Sequence, residues 1–74
     1  MTVNNTLQIC QAGKTIMEGD AANLHVIFNN LTGKNFSGKS YDRYKRFAAR
    51  QGFDLAQAVE LWDGVTLLES GNFK

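Results

Sequence analysis

From Thr6 to Cys10 apolar and polar residues alternate, with Leu7 and Ile9 on one side, which is the period of a half-buried strand. Gln11-Ala12-Gly13-Lys14 reads as a turn and Thr15-Ile16-Met17 as a short return strand, giving a hairpin that Gly19 ends. Asp20 then stands where a helix N-cap belongs. Leu24, Ile27, Phe28 and Leu31 come next at i, i+3, i+4 and i+7, and Gly33 lies just past the last of them. This spacing predicts a helix over about residues 21–32, against a competing buried strand over Leu24 to Phe28.

A second helix is expected to start near Ser37 or Ser40, to turn Tyr41, Tyr44, Phe47 and Ala48 inward, and to stop at Gly52. The punctuation beyond Gly52 predicts a third. Asp54 can cap it, Gln57 completes a capping box, and Phe53 with Ala58 can form a hydrophobic staple. Leu55, Ala58, Val59 and Trp62 would be its buried stripe and Gly64 its stop. Val65 to Glu69 then reads as a last strand. The expected order is β-β-α-α-α-β in a single domain, residues 1–74. It is an α+β fold whose small antiparallel sheet, the N-terminal hairpin plus a C-terminal strand, packs on three helices.

At 74 residues the chain is close to the lower limit for folding without staples, yet 43% hydrophobic and 20% charged residues favour a packed core over disorder. One cysteine, Cys10, excludes an internal disulfide, and with one histidine, His25, it cannot close a zinc site. No cofactor or metal is expected. The core must be efficient or be completed by a second copy, so a homodimer is one expected state. Met1 to Cys10 lacks the basic start and apolar run of a secretory leader, and the longest strongly apolar run is Val26-Ile27-Phe28. The expected compartment is therefore the cytoplasm, with no membrane contact.

Charge changes the picture more than composition does. Lys34, Lys39, Arg43, Lys45, Arg46 and Arg50 fall between Gly33 and Gly52 with a single acid, Asp42, so this stretch is near +5. The rest sets Lys14 and Lys74 against Glu18, Asp20, Asp54, Glu60, Asp63 and Glu69, near −4. The net charge of +1 conceals that division. Lys39, Arg43, Arg46 and Arg50 step by 4, 3 and 4, which places them on one helix face. A merely solvated face usually mixes its signs, and this one carries no balancing glutamate at i±4.

Gly33 to Ser40, GKNFSGKS, fits the phosphate-loop pattern G-x-x-x-x-G-K-[ST], in which backbone N–H groups cradle phosphates and the lysine reaches the outer ones. A nucleotide hydrolase also needs a parallel sheet, a strand running into the first glycine and a second metal-binding aspartate, for which this chain has no room. What survives is a seat for one phosphate at Lys39 and Ser40. Residues 47–53 with Ala58 and Leu61 also look like a helix-turn-helix, but the would-be recognition helix carries Asp54, Glu60 and Asp63 and no cation, the wrong sign for DNA.

Catalytic chemistry finds no constellation: Cys10 and His25 fall on different elements and the acids are scattered singly, so no enzyme is expected. The reading is a small binding or regulatory protein that reaches nucleic acid or a nucleoprotein through Lys34, Lys39, Ser40, Tyr41, Arg43, Arg46 and Arg50. The alternative is a compact protein inhibitor or adaptor, of the kind phages and mobile elements encode, docking on an acidic protein surface.

Overall fold

A computed structural model describes residues 5–36 and 38–73. In chain order its elements are β1 (Thr6–Gln11), β2 (Lys14–Asp20), α1 (Ala21–Leu31), α2 (Lys39–Gln51), β3 (Val59–Trp62) and β4 (Leu67–Gly71). The strands form one antiparallel sheet in the order β2-β1-β3-β4. Among the described residues the fold is α+β with two helices and four strands.

Strand β1 organises the sheet, pairing with β2 on one side and β3 on the other. Its alternation is strict: Leu7, Ile9 and Gln11 are buried while Thr6, Gln8 and Cys10 lie on the opposite face. Ile9 stands opposite Leu61 of β3, and both are fully buried. Helix α1 lays Leu24, Phe28 and Leu31 into this core, and Val59, Ala48 and Phe53 complete it. Each large side chain among these contributes about 1.5–3 kcal/mol through removal from water. The hairpin turn places Ala12 at φ 50° and Gly13 at φ 77°. Both signs are those a two-residue type I′ turn demands, and they match the right-handed twist of the flanking strands.

Asp20 caps α1 as expected, its carboxylate accepting the Ala22 N–H at 3.2 Å. Thr32 closes the other end, and Gly33 turns the chain away at φ 79°. The Gly33 and Lys34 N–H groups then donate to the carbonyls of Asn30 and Asn29. Strand β2 runs longer than expected, through Gly19 to Asp20, with a register shift where it passes Ile9 and Cys10. Of the two caps expected for the second helix, Ser37 lies outside the described residues and Ser40 is already inside α2. Gly38 occupies the N-cap position and offers no side-chain bond.

The third helix is not there. Residues 54–58 form a bend in which Leu55 is 38% exposed and Ala58 is exposed, so the expected buried stripe does not exist. Two forces decide against it. Val59 and Leu61 alternate with Glu60 and Trp62, and as a β-branched and aromatic run they find the open edge of β1, where strand pairing buries both apolar side chains. The Gln11 side chain also takes the backbone polar groups of Asp54 and Gln57 that a helix would have used. The Asp54 carboxylate, expected to cap a helix, instead closes a local turn by accepting the Ala56 N–H at 3.0 Å. With the helix goes the helix-turn-helix, since beyond Gly52 the chain makes a bend and then a strand.

The last strand begins at Leu67 rather than Val65, because Asp63 to Thr66 make the β3–β4 turn. The Asp63 N–H donates to the Thr66 carbonyl at 3.1 Å, and its carboxylate accepts the N–H groups of Val65 and Thr66 at 3.0 and 2.7 Å. Gly64, expected as a helix stop, is a turn residue at φ 97°. No helix among the described residues is long and apolar enough to cross a membrane.

Candidate functional site

Helix α2 is joined to the body at three places. The Tyr41 hydroxyl donates to the Leu31 carbonyl at 2.7 Å in a buried contact. Ala48 enters the core with no exposed surface. At the far end Gly52, left-handed at φ 103°, turns the chain so that Phe53 is buried and meets Phe73 edge-on at 6.1 Å. Tyr44 also packs against the core, Lys45 and Phe47 are half-buried, and the rest of the helix surface is open to solvent.

That surface carries the cations. Lys39, Arg43, Arg46 and Arg50 are all exposed. At 3.6 residues per turn they fall within about 60° of arc and run for about 16 Å along the axis. The two ion pairs among the described residues, Lys34–Glu69 at 3.1 Å and Lys45–Asp42 at 3.6 Å, leave all four out. Lys45 belongs to the other flank, where it also lies 5.3 Å over the Tyr41 ring. The acids Glu18, Glu60 and Glu69 are on the strands, while Asp20, Asp54 and Asp63 stand at strand ends and turns. The charge division of the sequence is thus a division between α2 and the sheet.

Beside the cations lies an apolar cleft of about 410 Å³, lined by Phe36, Ser40, Arg43, Tyr44 and Phe47. Its rings form a chain, Phe36 to Tyr44 at 5.2 Å between centroids and Tyr44 to Phe47 at 5.1 Å, tilted by 31° and 47°. Tyr44 packs one side against the core, whereas Phe36 and Phe47 stand outside the core cluster. Burial pushes the Tyr44 hydroxyl above its ordinary pKa of 10.0, against a smaller opposing effect of its hydrogen bond with Asn30, so it is neutral at physiological pH. A second depression, of about 230 Å³, is lined by Lys39, Asp42, Arg43 and Arg46. Arg43 lines both.

This arrangement brings together five of the residues that the sequence points to, Lys39, Ser40, Arg43, Arg46 and Arg50. Two others stand apart. Tyr41 is 6% exposed with its hydroxyl given to Leu31, so it holds α2 to α1 and presents nothing to a partner. Lys34 precedes α2 and is tied to Glu69 of β4. Tyr44 and Phe47, expected to turn inward, are half-buried and adjoin Arg43. Phe36 is a member of the site that the sequence does not disclose, because a lone aromatic in a polar connection carries no periodicity.

The phosphate-loop match lies between two helices. α1 leads into Gly33, Gly38 starts α2 at φ 58°, and every strand pairing in the sheet is antiparallel. The strand-to-loop approach that makes the pattern a nucleotide cradle is replaced by a helix-to-loop approach. Elsewhere, Cys10 is half-buried with its sulfur 3.6 Å from the Thr15 hydroxyl, and His25 is exposed on α1. Among the described residues no three His, Cys, Asp or Glu side chains gather as a metal site would require.

The chain belongs to the DUF7688 family. The match covers residues 6–74, and that family is described as a domain of unknown function. No curated protein matches the chain, and no solved structure does.

Proposed function

We propose that the protein binds nucleic acid through α2, with Lys39, Arg43, Arg46 and Arg50 against backbone phosphates. The observation that supports this most is the row of four exposed cations, about 16 Å long, with no acid of the described residues paired to any of them. Like charges held this close repel one another, and a polyanion relieves the repulsion while releasing its own counterions. The dipole of α2 agrees in sense: Asp42 sits in its first turn and Arg50 in its last. The helix can present this face without strain on the core, since its structural residues, Tyr41 and Ala48, point the other way.

Titration of labelled duplex DNA and single-stranded RNA at two salt concentrations tests the reading. Four neutralised phosphates give a log–log salt slope of about −3.6 on duplex and about −2.8 on a single strand. The triple change Arg43→Glu, Arg46→Glu, Arg50→Glu is expected to keep the circular dichroism spectrum and lose binding. If neither nucleic acid binds, the row is left to an acidic protein surface, as in the inhibitor or adaptor reading. Binding by the folded triple variant equal to wild type would make the row an ordinary solvated face.

A further inference from the structure

Phosphate attraction alone does not distinguish paired from unpaired nucleic acid, but the cleft beside the cations does. A duplex turns its phosphates outward and keeps the faces of its bases stacked inside, so rings next to a phosphate-binding row would have nothing to stack on. An unpaired base offers a free face. Phe36, Tyr44 and Phe47 form a continuous aromatic wall, with centroids 5.2 and 5.1 Å apart, and no acid lines it. The cleft's volume of about 410 Å³ falls within the range of about 300–1,000 Å³ typical of small-molecule sites. Arg43 borders both this cleft and the depression formed with Lys39, Asp42 and Arg46, where three cations outnumber one carboxylate, so a base and the phosphate next to it can be held on either side of one guanidinium. Ser40 adds a hydroxyl at the cleft's edge.

We infer that the cleft of Phe36, Tyr44 and Phe47 takes an unpaired base of a single-stranded nucleic acid whose phosphates run along Lys39, Arg43 and Arg46. The inference rests on the reading of α2 as a nucleic-acid surface and narrows it to single strands. Stacking on rings is indifferent to base identity, because every base has a π face, so little sequence preference is expected. Two large aromatic side chains, Phe36 and Phe47, stay outside the core cluster in a chain with little apolar surface to spare. A base laid against the wall that they form with Tyr44 removes apolar surface from water.

Fluorescence anisotropy with three probes of equal length separates this inference from the broader reading: a twelve-nucleotide oligothymidine, the same backbone with abasic sugars, and a twelve-base-pair duplex. The oligothymidine is expected to bind at least about fivefold more tightly than the abasic strand, the lower limit of a single stacking contact. Phe47→Ala is expected to weaken oligothymidine binding about five- to one-hundred-fold, to leave abasic binding unchanged and to keep the salt slope. Phe47→Leu keeps the apolar bulk and removes the ring, so it should show the same loss if Phe47→Ala folds poorly. Arg46→Glu with Arg50→Glu should weaken all three probes. Equal binding of the three probes, with Phe47→Ala and Phe47→Leu at wild-type affinity, would overturn the single-strand inference and leave phosphate binding standing. Absence of binding to every probe would overturn both.

Discussion

The side chain of Gln11 grips the backbone of Asp54 at both of its polar groups: the Asp54 N–H donates to Oε1 at 2.7 Å, and Nε2 donates to the Asp54 carbonyl at 2.8 Å. Nε2 also reaches the Gln57 carbonyl at 3.3 Å. Gln11 is the buried polar residue of the described chain, at 4% exposure, and it joins the end of β1 to a bend 43 residues away. Replacing it with leucine keeps the bulk and takes this partner from the Asp54 N–H and the Gln57 carbonyl, while the Asp54 carbonyl keeps the Gln57 N–H at 3.1 Å. Each costs about 1–3 kcal/mol when desolvated without a partner, so Gln11→Leu is expected to lower stability by about 2–4 kcal/mol. Urea denaturation measures this; a midpoint equal to wild type would mean that other contacts hold the bend.

The Tyr41 hydroxyl makes a buried bond to Leu31, and the Tyr41 side chain points away from the cation row. Tyr41→Phe is expected to cost about 1–1.5 kcal/mol and to leave affinity for any nucleic-acid probe unchanged. Loss of affinity in a variant that unfolds normally would place Tyr41 in the binding surface, contrary to its burial.

Ala12 sits at φ 50°, where its Cβ crowds the following carbonyl. Asparagine tolerates that region better and suits the first position of a type I′ turn. Ala12→Asn is expected to stabilise by about 0.5–1 kcal/mol, visible as a higher thermal midpoint. A lower midpoint would mean that the left-handed conformation is not kept in solution.

The Asp63 carboxyl is held below its ordinary 3.8, chiefly by the Thr66 N–H and then by that of Val65. A depressed carboxyl contributes stability that is present above the unfolded value and is lost as the pH falls through the folded one. Proton titration followed by NMR should therefore place the Asp63 midpoint below 3.8. Acid unfolding of Asp63→Asn should depend less steeply on pH in that range. An Asp63 midpoint at or above the ordinary value would mean that the β3–β4 turn is open in solution.

Local signals carry much of this fold. The alternation of Leu7 and Ile9, the i, i+3, i+4, i+7 set of α1 with its Asp20 cap and Gly33 exit, and the Gly52 stop of α2 are each written within a dozen residues. The segment from Asp54 to Trp62 misleads because it satisfies two periods at once. Leu55, Ala58, Val59 and Trp62 fit a helix, while Val59 and Leu61 fit a strand. The deciding partners are distant: the free edge of β1 and the amide of Gln11. The site divides in the same way. Steps of 4, 3 and 4 along one helix disclose the cations, whereas the cleft needs Phe36, brought onto α2 by a connection with no period of its own.

The central place of β1 has a consequence for how the molecule assembles. Its β2 partner is a two-residue turn away, but its β3 partner lies about fifty residues downstream, Ile9 meeting Leu61. Closing two residues and closing fifty differ by about 3 kcal/mol of chain entropy. Each hairpin, β1–β2 and β3–β4, can therefore form early and alone, leaving the seam between β1 and β3 to close last. Until it closes, β1 and β3 are both edges, each complementary to the other. In a concentrated solution the β3 that β1 meets first can belong to another molecule, and the same three pairs, Gln8 with Trp62, Ile9 with Leu61 and Cys10 with Glu60, would then join two chains by exchange.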